Sequence, residues 1–189
     1  MRKRDGKTTK SRCFVLSEEI DGGSAGDVIQ WIYDINQIDA ENDFDLKDYK
    51  PKPMELIINS FGGSVYDTFA IINAITTSKT PIITTNIGSS FSGALYILAA
   101  GHIRLAAPLS SFMYHELSTD LYYTYKDKIN EEMEEMKRIQ DMLENFLVSK
   151  TKITRKMLEK YNKSRSEWYF GVEDAIKFKI IDGVYTSMK

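Results

Sequence analysis

The 189-residue chain has one cysteine, Cys13, so no disulfide can form within it. That usage fits a reducing compartment. Cys13 lies in the apolar run Cys13-Phe14-Val15-Leu16, where a small buried hydrophobe is expected rather than a reactive thiol. Long apolar stretches are also missing. No window approaches the ~18–20 apolar residues of a membrane helix. The charged start, Met1 to Lys7, is not followed by the apolar segment that a secretion signal requires. A cytoplasmic location is therefore expected, with no membrane partner. The formal net charge is only −2, which gives no electrostatic reason to expect nucleic acid as a partner. There are two histidines, His102 and His115. Neither has a second His or Cys at ligand spacing, so no metal site is expected. No Gly-x-x-x-x-Gly-Lys-Ser/Thr segment occurs, so ATP binding by this chain is not expected either.

What is present suits one soluble domain. Hydrophobic residues make up 42% and charged residues 28%, enough to bury a real core at this length. Residues 1–12 carry six basic side chains and almost nothing apolar, and are expected to form a flexible N-terminal arm. Residues 13–189 are expected to form a single domain. Cys13–Leu16 reads as a short buried strand. Asp21-Gly22-Gly23-Ser24 reads as a turn and helix cap, and Val28, Ile29, Ile32 and Ile35 recur at helical spacing over 25–38. Residues 39–50 read as a surface connection.

Leu56-Ile57-Ile58 has the length and apolarity of a strand covered on both faces. A helix carrying Val65, Phe69, Ile72 and Ile75 follows, then a strand at 81–85, a small apolar helix over 94–100, and a strand over 111–115. The longest helical pattern spans 125–150, with Ile129, Met133, Met136, Ile139, Leu143 and Phe146 in one stripe. The alternation of strands and helices predicts an α/β domain with a mainly parallel sheet.

Three features carry possible chemistry. Gly62-Gly63 sits between a strand and a helix. It is either a plain tight turn or a place where free backbone N–H groups meet a developing negative charge. Ser92 falls at or just inside the start of an apolar helix, followed by Gly93. Ser89, Ser90 and Ser92 can all be helix caps. A serine nucleophile in that place also gains from the helix end and the next N–H. His115 ends an apolar strand, at the sheet edge, where it is either a structural histidine or a catalytic base.

In order and spacing these segments resemble the Clp protease proteolytic subunit, from about Ser11 to Val184. Ser11 to Asp21 looks like that family's opening strand and turn. Ile58-Asn59-Ser60-Phe61-Gly62-Gly63-Ser64-Val65 is similar to its I-N-S-P-G-G-S-V loop, with Phe61 in place of proline. Gly88 to Gly101 has the length of its nucleophile segment, which puts the nucleophile on Ser92. Pro108 to His115 has the spacing of its P-N-S-R-x-M-I-H segment, which puts the base on His115. Val172-Glu173-Asp174-Ala175 and Ile181-Asp182 match its ending.

The resemblance implies a repeated β-β-α fold of the Clp protease and crotonase type, with a protruding long-helix handle at about 117–150. It implies a serine endopeptidase whose third triad member falls on Glu167, where the family has aspartate; the alternatives are another carboxylate such as Asp174, or no catalytic role for this residue. Gly63 and Gly93 would supply the oxyanion N–H groups. Substrate would add as a strand beside Gly62 and Ser64 and along Glu116–Tyr125, including Leu121 and Tyr123. The implied partners are self, as two stacked seven-membered rings, and an ATP-driven Clp-family unfoldase that delivers unfolded polypeptides. Arm 1–12 would guard the entrance. Two other functions fit less of the pattern: a coenzyme A enzyme of the crotonase type, and a structural ring subunit with a weakened site.

Overall fold

The computed structural model describes residues 2–4, 7–118 and 126–186. Arg2–Arg4 (β1) pairs antiparallel with Lys7–Thr9 (β2), within the segment expected to be a flexible arm. The end of this segment is tied down: Lys10 pairs with Asp34, and Arg12 pairs with Asp39.

The main sheet has seven strands. Its path runs Cys13–Leu16 (β3), Met54–Ser60 (β4), Ile82–Phe91 (β5), Ile103–Ala106 (β6) and Gly183–Val184 (β9), all parallel. Off this path, Ser111–Tyr114 (β7) pairs parallel with β5, and Trp168–Phe170 (β8) pairs antiparallel with β7. The helices are Gly22–Asp45 (α1), Val65–Thr77 (α2), Gly93–Ala100 (α3), Lys126–Lys150 (α4), Arg155–Ser164 (α5) and Val172–Lys177 (α6). The mixed α/β class and mostly parallel sheet are those expected.

Strand β5 positions the site. Ten residues long, it pairs with β6 through 83–86 and with β7 through 89–91. Its end therefore leaves the shared sheet beside β7, and both strands point their C-terminal ends the same way. Helix α3 starts at that end and is buried along its whole length, as its apolar sequence requires.

Some local expectations change. Cys13 is exposed, and only Leu16 of its strand is buried, because among the described residues β3 is the last strand on that side, with β4 as its one neighbour. Helix α1 runs seven residues past the expected end at 38, through Asp45. Its start is fixed by a capping box: Asp21 accepts from the N–H groups of Gly23 and Ser24, and Ser24 Oγ accepts from Asp21 N–H. The extension is held by Asp39, buried near the chain start, where Arg12, Tyr49 and Thr80 all donate to its carboxylate.

The apolar stripe of α4 divides. Ile139, Leu143 and Leu147 are buried against the domain, whereas Met133 is exposed. Thus the C-terminal half of this helix belongs to the local core.

Candidate active site

Ser92 connects β5 to α3. It is the N-cap residue by position but makes no side-chain cap bond. Its backbone has φ 51° and ψ −123°, a conformation that L-residues with a Cβ adopt at a cost of roughly 1–3 kcal/mol. The turn lifts the side chain off the end of the sheet. Ser92 N–H donates to Met113 O at 2.9 Å, which ties the turn to β7. His115 follows β7 directly, and its Nε2 lies 2.8 Å from Ser92 Oγ. Ser92 and His115, 23 residues apart, thus meet because two parallel strands end side by side.

The two glycine junctions close around the same point. Gly63 forms a parallel bridge with Ile20; Ile20 N–H donates to Gly62 O at 2.9 Å, and Ser64 N–H donates to Ile20 O at 2.7 Å. A Cβ on Gly63, at φ 152°, would lie 2.2 Å from Ile20 O. A Cβ on Gly62, at φ 97°, would lie 2.8 Å from Ser92 Cβ. Both positions therefore demand glycine. A Cβ on Gly93 would come within 2.4 Å of Thr68 Oγ1. Among the described residues, the N–H groups of Gly63 and Gly93 have no hydrogen-bond partner, and Gly93 is the first residue of α3. Both glycines line one small cavity with Ser92 and His115.

Glu167 lies in a different relation to His115. Continuing the β7–β8 register one step past Tyr114↔Trp168 puts it opposite His115, and both line one large cavity. Its exposed carboxylate accepts from the Tyr169 hydroxyl at 2.6 Å and makes no hydrogen bond with His115. That bond is the chief cause of the raised Tyr169 pKa. Asp174 instead sits in the first turn of α6, 3.8 Å from Lys177. Gly62 lines a second opening beside Ser92 together with Phe61, and Ser64 caps α2. Leu121 and Tyr123 lie outside the described residues.

Behind the imidazole is a polar network that the sequence reading missed. Glu144 is only 2% exposed. It accepts from Gln140 Nε2 at 2.6 Å and Asn162 Nδ2 at 2.7 Å, and pairs with Arg155. The Tyr114 hydroxyl lies 2.9 Å from its Oε1. Burial pushes the Glu144 carboxyl up, but these donors outweigh it and leave the group below its ordinary range. Gln140 Oε1 accepts from Leu117 N–H at 2.8 Å. Gln140 therefore ties α4 to the chain just after His115. In sequence these residues look like the polar edge of an apolar stripe, and only their one-residue offset from Ile139 and Leu143 distinguishes them.

The family model for Clp protease matches residues 5–188. The chain is similar to the protein named ATP-dependent Clp protease proteolytic subunit 2 of Prochlorococcus marinus (strain MIT 9312). The two are 31% identical over 179 residues, covering 93% of this chain and 81% of that one. It is also 30% identical to ATP-dependent Clp protease proteolytic subunit 3 of Synechococcus sp. (strain CC9902), over 92% of this chain and 82% of the relative. The chain belongs to the Clp protease family.

Proposed function

We propose that the chain is a serine endopeptidase and the proteolytic subunit of a barrel-shaped compartmental protease. The observation that carries this reading is the 2.8 Å approach of His115 Nε2 to Ser92 Oγ, beside two glycine N–H groups with no partner among the described residues. Ser92 Oγ attacks the scissile carbonyl while His115 takes its proton. The carbonyl oxygen becomes an oxyanion and is met by the N–H groups of Gly63 and Gly93. Collapse of the tetrahedral intermediate breaks the C–N bond, and His115 returns the proton to the leaving amine; water then hydrolyses the acyl-enzyme by the same steps. Each oxyanion donor contributes about 3 kcal/mol to such a step.

Glu167 is the third member in this reading. For that role its carboxylate must turn from Tyr169 to His115 Nδ1, a move within one cavity. Substrate lies extended along Gly62–Ser64 and the segment after His115, where backbone pairing gives breadth of sequence. Leu121 and Tyr123 belong to that segment. The family relation supports self-assembly into stacked rings, with α4 as the joining handle and arm 1–12 at the entrance. It also supports a Clp-family ATPase as the partner that binds ATP and delivers unfolded chains. The chain itself then needs no cofactor, and the assembly acts in the cytoplasm. Among the described residues no helix is long and apolar enough to cross a membrane.

A coenzyme A enzyme of the crotonase type has no use for the Ser92–His115 pair. A structural ring subunit is separated by activity. Ser92→Ala is expected to abolish peptide hydrolysis by the assembled protein while its native mass stays unchanged. Hydrolysis that survives in that variant contradicts the assignment, and none in the unsubstituted assembly supports the structural subunit.

A further inference from the structure

Resting on the peptidase reading, we propose that Phe61, Phe91 and Tyr169 form an aromatic shelf for P1′, the first substrate residue on the leaving-amine side of the scissile bond, and that this shelf selects an aromatic side chain there.

The three rings come from three parts of the chain. Phe91 ends β5 and Tyr169 lies in β8, and each is in register with Met113 of β7, the strand between them. Paired residues put their side chains on one face of a sheet. Phe91 and Tyr169 therefore share a face, and their rings meet edge to face with centroids 5.5 Å apart. Phe61, from the loop after β4, tilts onto Phe91 at 5.4 Å. Both distances are those of interacting aromatic pairs. The two ends of the row stand open: Phe61 is 76% exposed and Tyr169 55%. Rings left so open add little to the core by burial, so packing of the domain does not account for the row.

The glycine loop sets where the shelf lies along a substrate. The oxyanion donors Gly63 and Gly93 lie to one side of the Ser92–His115 pair, with Val65 and Leu117, and the attacked carbonyl and the chain before it belong there. Ser92 and His115 also border a second opening of ≈ 510 Å³, which holds Phe61 and Gly62 but not Gly93. The chain after the scissile bond leaves through it. A Cβ on Gly62 would lie 2.8 Å from Ser92 Cβ, so Gly62 packs on the nucleophile and Phe61 stands one residue, about 3.8 Å, beyond. An extended substrate advances about 3.3 Å per residue. Its first residue past the bond therefore comes level with Phe61.

Size and charge narrow the choice. An opening of that volume admits a whole aromatic side chain. A flat ring on the shelf gains face and edge contacts that a branched aliphatic side chain lacks. Glu18 and Glu19 line the same opening and repel an acidic residue. Phe61 stands where the loop it resembles has proline, so the outer ring of the shelf belongs to this chain's own sequence.

The test uses the assembled full-length protein and internally quenched peptides that differ only at P1′: Phe, Leu, Gly, Lys and Glu, with the cleaved bond read by mass spectrometry. The expected kcat/KM is highest for Phe, about 10-fold above Gly, and lowest for Glu. In Phe61→Ala the Phe/Gly ratio is expected to fall about 5-fold, and in Phe61→Tyr to be kept. The methyl ester of the same acyl peptide has no side chain beyond the bond, so its hydrolysis is expected to be equal in Phe61→Ala and the unsubstituted protein. A Phe/Gly ratio near 1, or Lys above Phe, in the unsubstituted protein overturns the proposal without any variant. So does a Phe61→Ala variant that slows the ester and all peptides alike, or one that keeps the ratio but changes the native mass, which makes the row a contact between subunits. Labelling by a fluorophosphonate is read in parallel. Labelling of Ser92 with a flat P1′ profile overturns the shelf alone. Absence of both labelling and hydrolysis overturns the peptidase reading and the shelf with it.

Discussion

Ser92 is held in a backbone conformation that suits glycine better than serine, at φ 51°. Strain retained at one residue next to a histidine implies a role for its side chain. The consequence can be measured without any substrate. Ser92→Gly relieves the strain and loses the hydroxyl, so it is expected to be more stable than Ser92→Ala by about 1 kcal/mol. That corresponds to a Tm about 2–4 °C higher; equal or lower Tm in the glycine variant would show that the turn carries no strain.

Glu167 offers a second test at this scale. As the orienting group for His115, its loss in Glu167→Ala should lower kcat by about 10³-fold or more with little change in KM. Unchanged kcat would remove it from the triad. The register of the family resemblance put the nucleophile on Ser92 among three neighbouring serines. The positive φ at Ser92 was not legible, since no residue type signals it. Nor was the pairing of Glu167 with Tyr169, because an exposed carboxylate has several donors within reach. Exposed Cys13 illustrates the same limit, as an apolar run does not say whether its strand is at the edge of the sheet.

Among the elements, β5 is the one that makes the site, because its two halves serve different neighbours. Its apolar start was readable as a strand, but residues 86–91, Asn-Ile-Gly-Ser-Ser-Phe, have a turn-like composition and continue as strand because β4 and β6 pair with Asn86, β4 with Ser90 and β7 with 89–91. Helix α4 was readable in extent. Its division was not: the same stripe serves the local core at Ile139 and Leu143 and stands open at Met133.

Two buried carboxylates, Glu144 at the junction of α4, α5 and β7 and Asp39 in α1, carry a pH prediction. Glu144 and Asp39 are held below their ordinary ranges: burial raises each, and donated hydrogen bonds outweigh it. A carboxyl lowered in the folded state contributes stability above its unfolded pKa of about 4, and that contribution is lost as pH falls through the lower folded value. Stability should therefore be flat from pH 7 to 5 and drop below about pH 4. Glu144→Gln should cost about 2 kcal/mol at pH 7 and make the acid limb shallower in thermal melts taken from pH 6 to 3. An acid limb unchanged by the substitution would mean that Glu144 does not titrate with folding.

At the scale of the whole molecule, the site is a product of long-range contacts. Ser92 comes from a crossing of β5 into α3, His115 from the end of β7, and Gly63 from a loop bridged to Ile20 near the chain start. Four stretches of chain must fold together before any of the chemistry exists. The family relation covers nearly the whole chain, which is why the order of motifs was informative where each motif alone was not. The reach of Gln140 from α4 to Leu117 could be found only in three dimensions.

The most direct measurement is the intact mass of the protein after exposure to a fluorophosphonate, followed by peptide mapping. A single adduct on Ser92 is expected, formed at least about 100-fold more slowly in His115→Ala. An adduct on another serine, or one whose rate ignores His115, would contradict the account.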